Sequence, residues 1–299
     1  MTVKNEEKSI GQLMQSILAQ SQLPDEIVIV DGGSTDRTLE ILAGYQRTRP
    51  SLIRVLSFNA LNIAEGRNIS IKEARYDCIA SADAGVQYPA EWLRNLLGPF
   101  QNDESIDIVA GFFEPQSESV FEECVGILLY PHSASMVWEK FLPSGRSAAF
   151  RKSVWQALNG YAEWLPQGVG EDADFFLRAY NAGYKFAYAK DATCYWRPRQ
   201  NFKALFKQYY LYSKGARISG SSAFMLEAYG ANPLLVTLDN VKPLMKKGKL
   251  QHLVYCFFIL STVFAAKIIG SIFGIRHAYR AKKEERITMT PPSEDRKNE

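Results

Sequence analysis

Three acidic groups in this chain of 299 residues have the type and spacing to do chemistry. In Asp31-Gly32-Gly33-Ser34-Thr35-Asp36 an aspartate ends an apolar run and two glycines follow. Glycine lets a ligand approach the backbone closely, so the carboxylate can accept hydrogen bonds from a base or a ribose. An ordinary turn with a helix cap would use the same residues. In Ser81-Ala82-Asp83-Ala84-Gly85 a carboxylate at a strand end can meet a ribose hydroxyl, or a divalent cation bridging a diphosphate. Gly170-Glu171-Asp172-Ala173-Asp174 puts acids in the first turn of a helix, where they also complement its dipole. Aimed into a cleft, one of them can take a proton from an attacking hydroxyl. Two basic groups complete the set: Pro143-Ser144-Gly145-Arg146-Ser147 and Trp196-Arg197-Pro198-Arg199. Their guanidinium groups can hold phosphate oxygens in bidentate fashion, although arginines are also common on plain surfaces. Gly168-x-Gly170-x-x-Ala173 has the spacing of a dinucleotide fingerprint. It follows Pro166-Gln167 instead of a strand and carries two acids where a pyrophosphate would lie, which argues against that use.

The elements that must position these groups alternate between strand and helix patterns. Ile10, Leu13, Met14, Ile17 and Leu18 recur at helical spacing, and Glu26–Asp31 is an apolar run stopped by Gly32-Gly33. Ser34 or Thr35 can cap a helix reaching about Tyr45. Strands are expected near Ile53–Phe58, Tyr76–Ala82 and Ile106–Phe113, with helices near Ala64–Ala74 and from Pro89 to about Phe100. This order predicts an α/β fold with a mostly parallel sheet and helices on both faces. Ligands of such sheets sit beyond the carboxyl ends of the strands, where Asp31 and Asp83 fall. Further on, Asp172–Ala182 reads as a helix stopped by Gly183, and a long helix starts near Asn201.

Composition narrows the class. Hydrophobic residues make up 46% and charged residues 22%, as in folded globular proteins. Residues 241–299 hold 12 Lys/Arg against 5 Asp/Glu, so in a chain of net +3 the first 240 residues are net −4. A basic tail on a slightly acidic body argues against nucleic-acid binding and for contact with anionic headgroups. Four cysteines without a C-x-x-C read as reduced thiols, and three scattered histidines argue against a zinc site or a histidine triad. Met1 leads directly into Val3-Lys4-Asn5-Glu6 without a leader pattern, so the domain is expected on the cytoplasmic side of a membrane.

Taken together, these residues resemble the inverting family 2 of glycosyltransferases, which have the three-layer, Rossmann-like GT-A fold. The resemblance runs from Val3-Lys4-Asn5-Glu6-Glu7 through Pro24–Asp36, Arg67-Asn68, Asp83 and Glu171-Asp172, over roughly residues 1–215. It implies transfer of a sugar from a nucleotide-diphospho-sugar to an acceptor hydroxyl, on a lipid-linked or cell-envelope glycan. Asp172 would be the general base. Thr2, Asn5, Glu6, Asp31, Gly32, Arg67 and Asp83 would bind the donor. Ser144, Arg146, Glu171, Arg197 and Arg199 would meet the acceptor or the diphosphate. The implied cofactor is a divalent cation, Mg²⁺ or Mn²⁺, with Asp83 as its ligand. Two departures matter: Gly85 replaces the family's second carboxylate, which argues against tight metal binding, and only Met1-Thr2-Val3 stand before the asparagine of the first strand. A short first strand and a truncated start both fit that. Two other readings remain. A sugar-phosphate nucleotidyltransferase would need a Gly- and Arg-rich loop near the first strand, which is absent; a non-catalytic membrane-bound sugar or lipid binder would not need Asp172.

Leu250–Ile275 is apolar apart from a few polar residues, with Lys267 its one charge, and is long enough to span a bilayer. Basic clusters on both sides fit an in-plane or re-entrant helix, broken near Gly270, as well as a span. The expected organisation is a GT-A domain over 1–225, a basic linker over 226–249, a membrane-associated segment over 250–275 and a basic polar tail over 276–299.

Overall fold

The protein is described by a computed structural model covering residues 1–130, 138–165, 170–219 and 250–288. The 226–249 linker, Gly168 of the glycine-rich spacing, Lys242–Lys249 and the end of the tail lie outside the described residues.

Strands β1 (Thr2–Val3), β2 (Ile27–Asp31) and β3 (Ile53–Ser57) form a parallel sheet in the order β1-β2-β3. All five positions of β2 are buried, which is why it reads as a continuous apolar run instead of an alternating one. Helices α1 (Ile10–Leu18), α2 (Thr38–Thr48) and α3 (Ile63–Glu73) follow these strands in turn. A second sheet has the order β4-β7-β6-β8-β5, built from β4 (Cys78–Ser81), β5 (Val86–Gln87), β6 (Ile108–Pro115), β7 (Ala148–Arg151) and β8 (Phe186–Trp196). Here only β6 and β8 are parallel; β4 with β7, β7 with β6, and β5 with β8 are antiparallel. The parallel α/β pattern therefore holds in the first sheet, and the second is mixed. Asp31 and Asp83 consequently end strands of different sheets, not of one shared parallel edge.

Two helix starts differ from expectation. Helix α2 begins at Thr38, because Ser34 bonds to Asn5 and Asp31 while the Asp36 carboxylate accepts the Thr38 N–H at 3.0 Å. Helix α4 (Trp92–Asn102) begins three residues after Pro89, whose carbonyl accepts the Trp92 N–H at 2.9 Å. Helices α5 (Val120–Leu129), α6 (Lys152–Ala157) and α7 (Glu171–Asn181) pack around the second sheet, and Gly183 ends the α7 segment in a left-handed conformation. The large buried rings Phe112, Phe150, Phe175 and Phe176 fill the core on either side of that sheet. Helix α8 spans Phe202–Ser219, with Asn201 accepting the Ala204 N–H. The last helix, α9 (Leu250–Thr288), runs unbroken through Gly270 and past Ile275. The expected break is absent because Gly270 serves close packing: a Cβ there would strike the Tyr210 carbonyl of α8.

Candidate active site

Arg67 is the hub. Helix α3 presents it, and a capping box fixes the start of that helix, with Asn62 accepting from Glu65 N–H and the Glu65 side chain accepting from Asn62 N–H. The buried guanidinium donates from Nη1 to Ser81 Oγ at 2.9 Å and from Nη2 to Asp83 Oδ1 at 2.7 Å. Its Nε faces Glu171 Oε1 at 3.4 Å. Burial works against its charge, and Asp83 and then Glu171 more than offset this, so its pKa is raised. The Ser81 hydroxyl donates on to the Gly145 carbonyl at 2.9 Å. Gly145 must be glycine here, since a Cβ would collide with the Arg67 guanidinium. Its N–H donates to Asp172 Oδ2 at 3.1 Å, and Ala173 N–H donates to Asp172 Oδ1 at 2.8 Å. Thus the segment after β4, α3, the loop before β7 and the first turn of α7 bring Asp83 and Glu171 onto one cation and hold Asp172 beside it.

The two adjacent acids are not equivalent. Glu171 is buried, and burial first, then the charge of Asp172, pushes its carboxyl up to about 8 against the pull of Arg67. Asp172 is half-buried and held by two backbone N–H groups.

A second part of the site surrounds Arg146. Its guanidinium lies 4.5 Å from the Trp196 ring and 5.0 Å from the Phe113 ring. It donates to Ser144 Oγ at 3.2 Å and to Tyr212 Oη of α8 at 3.4 Å. Tyr88 links the two parts: its oxygen accepts the Asp83 N–H at 3.0 Å and its hydroxyl donates to the Arg146 carbonyl at 2.9 Å. Arg199 reaches the same Trp196 ring at 6.0 Å. Arg197 does not join them; it pairs with Glu118 at 2.7 Å and with buried Glu122 at 2.8 Å on α5.

The loops after β1 and β2 are zipped together. Asn5 N–H donates to Ser34 Oγ at 2.9 Å, Thr35 N–H donates to Asn5 Oδ1 at 2.8 Å, Glu6 N–H donates to Thr38 Oγ1 at 2.7 Å, and Gly32 N–H donates to the Val3 carbonyl at 2.9 Å. Asp31 is fully buried, and its carboxylate accepts from Gly33 N–H, Ser34 N–H and the Ser34 hydroxyl. It shapes this turn. Thr2 packs against Gly66 of α3, where no Cβ would fit. Ser81, Tyr88 and Tyr212 join the site without a role assigned from sequence. Ser81 ends β4 two residues before Asp83, and Arg67 bonds both. The two tyrosines act across 58 and 66 residues of sequence and left no local signal.

A divalent cation would find one carboxylate here, Asp83, whose Oδ1 already accepts from Arg67. Position 85 is glycine, and among the described residues no group of three His, Cys, Asp or Glu converges to hold an ion. These residues alone do not make a metal site.

The profile of glycosyl transferase family 2 matches residues 1–154, and that of glycosyl transferase family group 2 matches residues 112–276. The chain is 22% identical over 218 residues to the poly-beta-1,6-N-acetyl-D-glucosamine synthase of Staphylococcus aureus, covering 71% of this chain and 52% of that protein. It therefore spans about half the length of such curated relatives. It is 27% identical over 204 residues to the O-antigen chain rhamnosyltransferase WbaN of Salmonella anatum, covering 62% of each. Among solved structures, it is similar to mannosyltransferase PcManGT from Pyrobaculum calidifontis in complex with GDP-Man and Mn²⁺, with TM-score 0.57 and 17% identity, covering 97% of this chain and 80% of that one. It is also similar to S. aureus TarS 1–349 in complex with UDP-GlcNAc, with TM-score 0.53 and 17% identity, covering 95% and 90%. These likenesses show the GT-A fold.

Proposed function

The chain belongs to glycosyl transferase family 2, and from that premise we propose that it transfers a sugar, with inversion, from a nucleotide-diphospho-sugar to an acceptor hydroxyl. The observation that carries the reading is the pairing of Asp83 and Glu171 with Arg67, with Asp172 held beside them by the Gly145 N–H. Asp83 and Arg67 would face the donor. Asp172 would accept the proton as the acceptor oxygen attacks the anomeric carbon. The bond to the nucleoside diphosphate breaks in the same displacement, so no enzyme nucleophile is needed. The leaving group takes the electron pair, and Arg146 and Arg199 would meet its charge. Glu171 and Ser144 would hold Arg67 and Arg146 in place. Bringing donor and acceptor together in this cleft supplies up to ~7–11 kcal/mol. The relatives' names, a poly-N-acetylglucosamine synthase and an O-antigen rhamnosyltransferase, support a cell-envelope glycan as acceptor. In this reading the acceptor is lipid-linked and is met at the cytoplasmic membrane surface. The catalytic body would be residues 1–225, with 250–275 as its membrane-associated part.

The test is Asp172→Asn. Donor binding by calorimetry should stay within about twofold, and turnover with an envelope glycan acceptor should fall by roughly 10²-fold or more. Near-normal turnover would remove Asp172 from the role.

A further inference from the structure

Residues Leu250–Gly274 of α9 have mean hydropathy 2.0, and the rest of the protein covers one side of them. The covered stripe is His252, Cys256, Ile259, Val263 and Ala266, all buried and spaced three or four apart. Helices α5 and α8 provide the cover. Tyr255 meets Phe121 edge to face with centroids 5.6 Å apart, and Ser213 of α8 donates to the Lys267 carbonyl at 2.8 Å. Phe202 lies beside Phe258 near one end, and Arg217 lies against Gly274 at the other. Helices α8 and α9 therefore run side by side in the same direction.

The opposite side of α9 is open. Phe257 is 67% and Phe264 68% exposed, in line with exposed Leu250, Val254, Ile268 and Ile272. Ser261 is the polar residue within this line, and Lys267 is exposed beside Ile268. A helix this apolar needs more cover than one side of it receives, and a large exposed apolar face marks a docking surface. We propose that this face lies flat in the headgroup–acyl boundary of an anionic membrane, with α9 parallel to the bilayer instead of crossing it.

Length alone allows a span, since 25 residues at ~1.5 Å rise exceed the ~30 Å hydrocarbon core. The packing opposes it. Helix α9 is attached along its apolar length to α5 and α8, so upright insertion would carry the exposed Lys203, Lys207 and Arg217 of α8 into hydrocarbon. In sequence, Lys242, Lys246, Lys247 and Lys249 precede α9, while Arg276, Arg280, Lys282, Lys283 and Arg286 follow its apolar part. A flat helix leaves both clusters on the headgroups of one leaflet. The same clusters would repel between two copies joined through this face, which favours lipid over a self-dimer. Helix α8 connects the docking face to the site: Tyr212 bonds Arg146, and Gly215 sits against Gly170, just before Glu171. Docking would thus hold the Arg146 side of the cleft near the headgroups. The inference rests on the membrane location proposed above and not on sugar transfer itself.

The full chain is mixed with phosphatidylcholine vesicles, with or without phosphatidylglycerol, and floated on a density gradient. Co-flotation with the anionic vesicles and release by alkaline carbonate are expected. A Phe257→Ser/Phe264→Ser double variant with unchanged circular dichroism should bind at least ~10-fold more weakly. In a Cys78→Ser background, fluorophores at Phe257→Cys and Ile272→Cys should be quenched by spin-labelled lipids at one equal, shallow depth. Absence of flotation, retention through carbonate, unequal label depths, or a soluble dimer broken by the double variant would overturn the proposal. Lost flotation with intact transfer to a soluble sugar sinks the docking alone. Flotation of a chain that transfers no sugar sinks the reaction alone.

Discussion

Glu171 and Asp172 are neighbours in sequence with opposite surroundings. Glu171 points into the protein toward Arg67, and Asp172 is held at the mouth of the helix by the N–H groups of Gly145 and Ala173. Splitting the environments of two carboxylates is how a site keeps one neutral and uses the other as a base. The raised Glu171 pKa makes a stability prediction. In the unfolded chain this carboxyl loses its proton near 4.5, and in the folded protein near 8. Between those values the folded state binds more protons than the unfolded state, so stability falls as pH rises. The contribution is fully present below about 4.5 and is lost by the time pH passes about 8. Urea midpoints measured from about pH 5 to pH 9 should therefore decline less in Glu171→Gln than in the wild type. Equal slopes for the two proteins would mean that Glu171 is ionised throughout.

At the scale of elements, α3 does two jobs from adjacent residues. Successive helical positions point about 100° apart, so Arg67 enters the site while Asn68 turns to the loop before α7. Asn68 Oδ1 accepts from Trp155 Nε1 at 2.9 Å and Tyr161 N–H at 2.8 Å, and its Nδ2 donates to the Tyr161 carbonyl at 2.9 Å and Glu163 Oε1 at 2.8 Å. Asn68→Ala should cost about 1–3 kcal/mol in urea denaturation, because it strips partners from buried groups. It should also lower turnover by loosening Tyr161 and Glu163 beside the site; a variant with unchanged stability would show that this segment holds itself. Asn68 was visible in the sequence as half of an Arg-Asn pair, but nothing local says which way it faces. The same limit explains Arg197. Its place in Trp196-Arg197-Pro198-Arg199 suggested a phosphate contact, whereas buried Glu122, 75 residues away in sequence, takes it. Strand β4 was legible, but its antiparallel pairing with β7 was not, since Cys78 meets Arg151 across a long intervening stretch. Local signals worked where the chemistry is local: the Val-Ile run of β2, the glycines of its turn, Asn201 before α8 and Gly183 after α7.

At the scale of the whole molecule, the residues proposed to face the donor come from two sheets. Asn5 and Gly32 sit on the loops of the first sheet, and Asp83 on the second, with Arg67 of α3 between them. A nucleoside diphosphate bound across that junction would tie the two sheets together, and anything that binds only the folded state raises its stability by mass action. At ~100 times the dissociation constant this amounts to about 2.7 kcal/mol, a rise in Tm of roughly 5–10 °C for a domain of this size, where about 1 kcal/mol is worth ~2–4 °C. The shift should appear with one base in preference to others. Asp83→Ala should shrink it, since that change removes a candidate ribose contact and leaves the buried Arg67 without its 2.7 Å partner. The metal arm of the same titration follows from Gly85: with a single carboxylate on offer, Mn²⁺ or Mg²⁺ should change the shift by less than about half. A nucleotide effect that vanishes with chelator and returns with Mn²⁺ would show that ligands beyond Asp83 hold the ion. A shift equal in wild type and Asp83→Ala would move the donor away from the junction of the two sheets.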